Sequence, residues 1–435
     1  MEIVITELDA QSNPGLVTQE IQQGIDQLAS LGGGRLVIPT GHFMTGAIEL
    51  KSNVELHLES GAVLTFSDNQ ADYPVVSSRW EGVERQVYQP CIYAHDAVNI
   101  SITGFGKLDG NGQNWWHVFR EDREKLVHPR PQFVGFDNCD RVVLRDFQIE
   151  NSPSWTIHPV NCQNVTIDNL SIKNPADSPN TDGIDPESCR NVRIANCQID
   201  VGDDCIAIKA GTEENPERIA CENITITNCT LLHGHGGVVL GSEMSGGIKN
   251  VTISNCVFKQ TDRGIRLKSR RGRGGLVESL TVNNIIMDGT ICPFVLNLYY
   301  FCGPKGKEDY VSDKTPYPVD RRTPEFKQIH FSNIIAKNVS SAAGYVYGLP
   351  EKVVSDVQFS NIQVEMVGQN AVADKPAMMA GIEPMTNRGF TLINADGVTF
   401  DNFQIKNFQG PAFNIQAAKH VQLINGTTSL QNEAE

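Results

Sequence analysis

The chain has 435 residues, of which 20% are charged and 40% hydrophobic, and its formal net charge is −15. This composition is typical of an ordinary soluble protein and does not favour a nucleic-acid-binding protein. No run of 18 apolar residues predicts a membrane span, and the first residues do not have the pattern of a signal peptide. Eleven cysteines, an odd number, indicate a reducing compartment, so we expect a cytoplasmic protein.

The first predicted element is an amphipathic cap helix in residues 12–34. Apolar residues recur there at helical spacing, at Ile21, Ile25, Leu28 and Leu31. Such a helix would cover the open end of a β-solenoid, which otherwise exposes an unpaired sheet edge. Strand patterns follow at 35–39 and 54–58, and residues 71–135 are less regular.

A repeat of the form apolar-x-apolar-x-Asn then runs to the end of the chain. Asp146 takes the last place in its first copy, and the later copies end at Asn169, Asn196, Asn228, Asn255, Asn284, Asn333, Asn361, Asn402 and Asn425. The first five steps are 23, 27, 32, 27 and 29 residues long. Alternation with a period of two predicts a strand with one buried face, and recurrence at this interval predicts a solenoid. Each repeat holds two or three short strands and no helix-length apolar stripe, so we predict an all-β, single-stranded parallel β-helix.

Cysteines follow the same repeat, at Cys139, Cys162, Cys189 and Cys221 before it and at Cys197, Cys229 and Cys256 after it. We interpret them as ladders of small buried side chains. A metal site is the alternative, but the cysteine spacing follows the repeat and not a ligand pattern. The repeat asparagines are interpreted as turn formers, because Asn tolerates the left-handed backbone conformation.

Four polar motifs interrupt the repeat, namely Asn180-Thr-Asp182, Gly202-Asp203-Asp204, Gly234-His235-Gly236 and Arg266-Leu-Lys268. Each motif alone is more often a turn, a loop histidine or a solvated strand face. On consecutive coils, however, all their charged side chains would project from one face. Three nearby carboxylates cannot all ionise at low cost, so one pKa should rise and that group could act as a general acid.

In their order and spacing, these motifs resemble glycoside hydrolase family 28, the polygalacturonases, and the resemblance covers nearly the whole chain. It implies a right-handed parallel β-helix that hydrolyses α-1,4-galacturonosyl bonds with inversion, without a metal or other cofactor. By this likeness Asp203 is the general acid, Asp182 and Asp204 activate water, and His235 tunes the acid. The residues that would bind galacturonate are Arg266, Lys268 and Tyr300, with Tyr299 as the alternative tyrosine.

The surroundings of the motifs resemble the bacterial branch of the family. Two irregular segments, 71–135 and 298–325, read as insertions in a single domain, 1–435. Insertions could wall off one end of a groove, which favours exo-action on short oligogalacturonates. Six cations between Arg263 and Arg273, with no acid among them, predict a local positive patch that outweighs the distant negative charge.

Secreted relatives often pair the cysteine after Asp-Asp with a cysteine four residues before the motif histidine. Here Cys205 is present but the partner position is Leu231, which again indicates a reducing compartment. Three other functions stay open: hydrolysis of rhamnogalacturonan by the same family, a calcium-dependent pectate lyase, and a non-catalytic glycan-binding β-helix. The intact set of motifs argues against the last two.

Overall fold

The computed structural model describes residues 1–7, 15–301, 303 and 305–430. Residues 12–14 of the predicted cap region, and 302 and 304 of the second predicted insertion, lie outside the described residues. Contacts group the chain into two compact units, Met1–Asp203 and Asp204–Glu435. The single-domain organisation stays a prediction. Among the described residues, no helix is both long enough and apolar enough to cross a membrane.

The predicted cap is helix α1 (Thr18–Ser30), whose residues Ile21, Ile25 and Leu28 are completely buried against the first strands. Leu31 was predicted as the fourth residue of this apolar stripe, and that prediction is wrong. It lies just beyond the helix and is 55% exposed, because the chain is already turning there. Gly33 follows with a φ of 128°, and a Cβ at this position would lie 2.5 Å from the main-chain oxygen of Asn53.

The first unit is a solenoid of three parallel strand ladders. The first ladder contains Glu2–Val4, Gly34–Ile38, Val54–Leu58, Val98–Gly104, Asp140–Arg145, Gln163–Asp168 and Arg190–Ala195. The second contains Gly41–Thr45, Ala62–Phe66, Lys107–Asp109, Gln148–Glu150, Ser171–Lys173 and Gln198–Asp200. The third contains Ile48–Glu49, Ile92–His95, Val134–Asp137 and Ile157–Val160. Matching positions of the predicted repeat stack in register, as a parallel β-helix requires.

Segment 71–135 is only partly an insertion. It contains an antiparallel hairpin (Val75–Trp80 and Val83–Tyr88) and helix α2 (Gln113–Glu121). The rest is one more coil of the solenoid. Its main strand, Val98–Gly104, ends in glycine where the repeat has asparagine, so the pattern did not reveal it. Short 3-10 turns complete this unit at Ile5–Glu7, Gln70–Asp72 and Arg123–Lys125.

The second unit, by itself, also consists of parallel strand ladders, of which there are two among its described residues. The first contains Cys221–Thr227, Ile248–Lys259, Leu276–Asp288, Glu325–Val339, Val354–Met366, Ala395–Gln416 and Gln422–Ile424. Thr230–Leu232 and Thr427–Leu430 pair with members of this ladder. The second contains Ile206–Ile208, Val238–Gly241, Arg263–Lys268, Cys292–Asn297, Ala342–Tyr347 and Arg388–Ile393. Segment 298–325 is a loop that carries one short helix, α3 (Asp309–Ser312).

The interpretation of the repeat asparagines and cysteines is confirmed. All nine repeat asparagines have φ between 52° and 59°. Side-chain amides of this set donate to side chains of the neighbouring coil. In the second unit, Asn361 Nδ2 donates to Asn333 Oδ1 at 2.9 Å, and Asn402 Nδ2 donates to Asn361 Oδ1 at 2.7 Å. The seven ladder cysteines are all buried as free thiols. These residues are therefore structural.

Candidate active site

In the first unit, Asp182 lies in a loop that is fixed by several hydrogen bonds. Its main-chain oxygen accepts from Thr156 N at 2.9 Å, which joins the loop to the strand ladder. The Thr181 hydroxyl is completely buried and lies 2.5 Å from the hydroxyl of Ser178. Asn180 takes the left-handed conformation that starts the turn. The side chain of Asp182 is thus buried and held in a defined position.

An arginine that the sequence did not single out anchors the same loop. Arg130 Nη1 donates to Pro153 O and Pro179 O at 2.8 and 2.9 Å, and Nη2 donates to Asn180 Oδ1 at 2.8 Å. Its guanidinium also lies 3.9 Å from the centroid of the Phe119 ring on α2. Burial and, to a smaller extent, nearby positive charge lower the pKa of Arg130 to about 9. The insertion that contains α2 therefore supports the loop of Asp182.

Gly202 permits the turn that carries Asp203, the last residue of the first unit. A Cβ at Gly202 would lie 2.6 Å from the main-chain oxygens of both Pro175 and Ser178, so only glycine fits. Asp203 itself is partly exposed, in contrast to the buried Asp182. A group that exchanges a proton with solvent between reaction cycles needs such exposure.

In the second unit, Asp204 is buried in an ion-paired cluster. Its Oδ2 accepts from Lys268 Nζ at 2.7 Å, and its Oδ1 accepts from Arg266 Nη1 at 3.4 Å. Burial alone would raise the pKa of this carboxyl, but the charges of Lys268 and Arg266 outweigh burial and hold the pKa well below its usual range. Asp204 is therefore a carboxylate at neutral pH. A Cβ at Gly236 would lie 3.0 Å from Asp204 Oδ1, so this glycine leaves room for the carboxylate.

Arg266 and Lys268 lie outside the coil core, as predicted, but they are only 2% and 7% exposed. Tyr300 covers them, with its ring centroid 5.5 Å from the guanidinium carbon of Arg266 and 5.2 Å from Lys268 Nζ. Arg266 Nη2 also lies 3.0 Å from Met378 Sδ. Of the two candidate tyrosines, Tyr300 is therefore the one beside these cations, whereas Tyr299 packs against Tyr347.

The predicted patch of six cations is wrong for four of its members. Arg270 and Arg273 both bind Glu213, each at 2.9 Å. Arg271 binds Glu351 at 2.6 and 2.9 Å. Arg263 donates to main-chain oxygens. All four are buried. Glu213 and Glu351 are distant in sequence, so the run of cations appeared unpaired.

Two charged residues near Asp204 were missed. Lys209, which is buried, adds to the positive charge that lowers the pKa of Asp204. Glu243 lies 3.5 Å from Lys209, and its pKa falls to about 2 because Lys209 and other cations outweigh burial. Lys209 follows Ile206 and Ile208 in strict alternation, so its outward position could have been predicted from the strand pattern.

His235 is exposed at the turn before the strand Val238–Gly241. A residue that the sequence did not suggest, Asp262, is close enough to interact with it. Burial raises the pKa of Asp262, and the charges of Arg263 and His235 partly oppose that rise. Asp262 N donates to Gly234 O at 2.9 Å, which ties the histidine turn to the next coil. His235 thus has an acidic neighbour within its own unit.

Comparison with known proteins identifies the family. The model described as "Glycosyl hydrolases family 28" matches residues 30–378. A probable polygalacturonase of Vitis vinifera is 32% identical over 366 residues, which cover 81% of this chain and 72% of the relative. The exo-poly-alpha-D-galacturonosidase of Dickeya chrysanthemi is 28% identical over 418 residues, with 82% and 66% covered.

A solved structure supports the same conclusion. The exopolygalacturonase of Thermotoga maritima is 30% identical, with a TM-score of 0.79 over 93% of this chain and 91% of that one. Together with the stacked parallel ladders and α1, this similarity confirms the predicted all-β parallel β-helix with an N-terminal cap helix. The chain is a glycoside hydrolase and belongs to glycosyl hydrolases family 28.

Proposed function

We propose that the protein is a polygalacturonase that hydrolyses α-1,4-galacturonosyl bonds with inversion and removes residues from the ends of oligogalacturonates. Family membership supports cleavage of a glycosidic bond, and the Dickeya and Thermotoga relatives are named as exo-acting enzymes. The observation that carries the proposal is the buried Asp204 carboxylate, bonded to Lys268 and Arg266. It combines an ionised group for activating water with cations suited to an acidic sugar.

In the proposed reaction, Asp203 protonates the leaving glycosidic oxygen. Asp182 and Asp204 hold and deprotonate a water that attacks the opposite face of the sugar ring. The transition state resembles an oxocarbenium ion, so the water needs little activation and a carboxylate of low pKa is a sufficient base. His235 would tune the charge and position of Asp203.

Arg266, Lys268 and Tyr300 would bind galacturonate. An ammonium has three N–H donors and a guanidinium has five, so both cations keep donors beyond those used by Asp204. A charge-assisted hydrogen bond to a sugar carboxylate contributes about 1.5–3 kcal/mol. The ring of Tyr300 would provide an apolar face for the sugar.

Product analysis on trigalacturonate and polygalacturonate tests this function. We expect galacturonate monomer alone, released first as the inverted anomer, which proton NMR of fresh product detects. A ladder of oligomers would contradict exo-action. Formation of an unsaturated, ultraviolet-absorbing product that stops when calcium is chelated would establish a lyase instead. Inactivity on galacturonans with activity on rhamnogalacturonan would move the enzyme to the other pectic substrate.

The acid assignment has its own test. Asp203→Asn is nearly isosteric but cannot donate a proton, so kcat should fall by at least about 10²–10⁴-fold while oligogalacturonate binding persists. Asp177→Asn is a matched control, because Asp177 is an exposed aspartate of the same unit. Substantial activity in Asp203→Asn would exclude Asp203 as the acid.

We also propose that the enzyme acts in the cytoplasm on imported oligosaccharides. The odd number of cysteines and the leucine at position 231 support a reducing compartment. Immunodetection after fractionation of the native host tests this proposal. Recovery outside the cytoplasmic fraction would contradict it.

A further inference from the structure

In segment 298–325, an exposed lysine lies over an aromatic ring. Lys314 Nζ is 3.2 Å from the centroid of the Tyr299 ring and 4.7 Å from that of Tyr347. The two rings meet edge to face, 4.8 Å apart. Partial burial and the charge of Arg271 lower the pKa of Lys314 to about 8. A cation held in this way would be stabilised by a neighbouring anion.

The acidic groups around Lys314 are engaged elsewhere. The carboxylate of Asp313 accepts from Thr315 N at 2.9 Å and from the Tyr317 hydroxyl at 2.8 Å. Glu351 is bound by Arg271 on both oxygens. Within the described part of the chain, no ion pair includes Lys314. Lys314 is thus an exposed residue whose ammonium forms no ion pair with the neighbouring carboxylates.

Strand register places Tyr347, whose ring lies beside Lys314, two strands beyond Lys268. Lys268 pairs with Asn297, and Asn297 pairs with Tyr347. Two strand spacings amount to about 10 Å. The consecutive tyrosines connect the two places, because the ring of Tyr300 lies beside Lys268 and the preceding tyrosine ring lies under Lys314.

We propose that Lys314 and Tyr347 form a further subsite for the substrate, which binds the carboxylate and ring of a galacturonate unit beyond the one held by Arg266 and Lys268. Lys314 supplies the counter-ion. The partly exposed ring of Tyr347 supplies an apolar face. This inference rests on the proposed function, and it predicts that the enzyme gains efficiency when the substrate is long enough to reach the subsite.

The test compares Lys314→Met with wild type on di-, tri- and tetragalacturonate. Lys307→Met is the matched control, because Lys307 is an exposed lysine of the same segment. We expect kcat/KM of Lys314→Met to fall about 5- to 20-fold on tetragalacturonate and less than about twofold on digalacturonate, since one charged contact is lost. Lys307→Met should match wild type throughout. Equal losses at every length, or no loss at any length, would overturn the subsite.

Binding separates failure of the subsite from failure of the proposed function. Tetragalacturonate is titrated calorimetrically into Asp203→Asn and into the double variant Asp203→Asn/Lys314→Met. Weaker binding by the double variant supports the subsite even if no bond of this substrate is cleaved by the wild type. Unchanged affinity overturns the subsite, whatever the activity.

Discussion

Asp204 stays ionised in a buried position because two cations outweigh its desolvation. Lys268→Met would remove one cation and leave the burial, so the pKa of Asp204 should rise. In the proposed reaction Asp204 acts as the carboxylate and Lys268 binds substrate. The acidic limb of the kcat/KM profile should therefore move to higher pH, in addition to a loss at every pH from weaker substrate binding. Profiles on trigalacturonate would measure the shift. Lys249→Met, at a surface ion pair with Glu222, is the control.

The same pair affects stability with a definite sign. The folded-state pKa of Asp204 is lower than the unfolded value of about 4. Its contribution is therefore complete above about pH 4 and is lost as pH falls through the folded pKa. In Lys268→Met the folded-state pKa should lie closer to the unfolded value, so the contribution should be smaller and should be completely lost at a higher pH. An acidic limb and an acid-unfolding midpoint that both coincide with wild type would contradict the role given to Lys268.

Arg130 is expected to position the loop of Asp182. Arg130→Met would leave Pro153 O, Pro179 O and Asn180 Oδ1 without their donor, and the loop should shift. A small misplacement at a reacting centre costs up to about 10²-fold, so kcat should fall about 10- to 100-fold while KM changes less.

Arg130→Lys should recover part of this activity, because its ammonium can still donate to some of the same oxygens. Arg123→Met is the control, since Arg123 contacts the same Phe119 ring from an exposed position. If Arg130→Met lowers the melting temperature but keeps the kcat of wild type below it, the arginine has a purely structural role.

For individual residues, the sequence was informative where a polar or charged residue interrupts the alternating strand pattern. The Asp-Asp pair, the histidine turn and the Arg-x-Lys strand all stand out from an alternating pattern. Arg130 and Glu243 do not, because their partners are main-chain oxygens or charges far along the chain. The prediction that the four arginines form an exposed positive patch was wrong for the same reason. Pairing with distant acids cannot be read from a local run of cations.

Asparagine side chains that bond between neighbouring coils are expected to stabilise the individual strands. Asn361 allows a test of this stabilisation. It donates to Asn333, accepts from Asn402 and has a φ of 55°. Asn361→Ala should destabilise the protein by about 1–3 kcal/mol, because alanine disfavours this conformation and both bonds are lost. Asn361→Gly should cost less, since glycine adopts positive φ easily.

Urea unfolding followed by circular dichroism measures these changes, with Gln363→Ala on the same strand as the control. Equal stabilities of the alanine and glycine variants would show that backbone conformation does not contribute.

The strands themselves were predictable from the sequence, since each repeat has its own alternation of apolar and polar residues. The coil that ends at Gly104 was not, because glycine satisfies the same backbone requirement as asparagine without matching the repeat.

For the whole molecule, the burial of four arginines changes the expected electrostatics. Each of the six cations in the run from Arg263 to Arg273 was expected to attract a polyanion. All six are already bonded within the protein, Arg266 and Lys268 to Asp204 and the other four elsewhere, so the net charge of −15 should dominate at long range. Polygalacturonate should therefore be repelled before it reaches the cations beside Asp204.

Salt dependence tests this balance. The Debye length falls from about 30 Å at 0.01 M salt to about 10 Å at 0.1 M. Over this range, kcat/KM on polygalacturonate should rise, because screening weakens the long-range repulsion of a highly charged chain. On digalacturonate it should change little or fall, because a short substrate meets mainly the local cations. Each substrate serves as the control for the other. If kcat/KM on the polymer instead decreases from the lowest salt onward, attraction by the run of cations reaches further than their buried ion pairs allow.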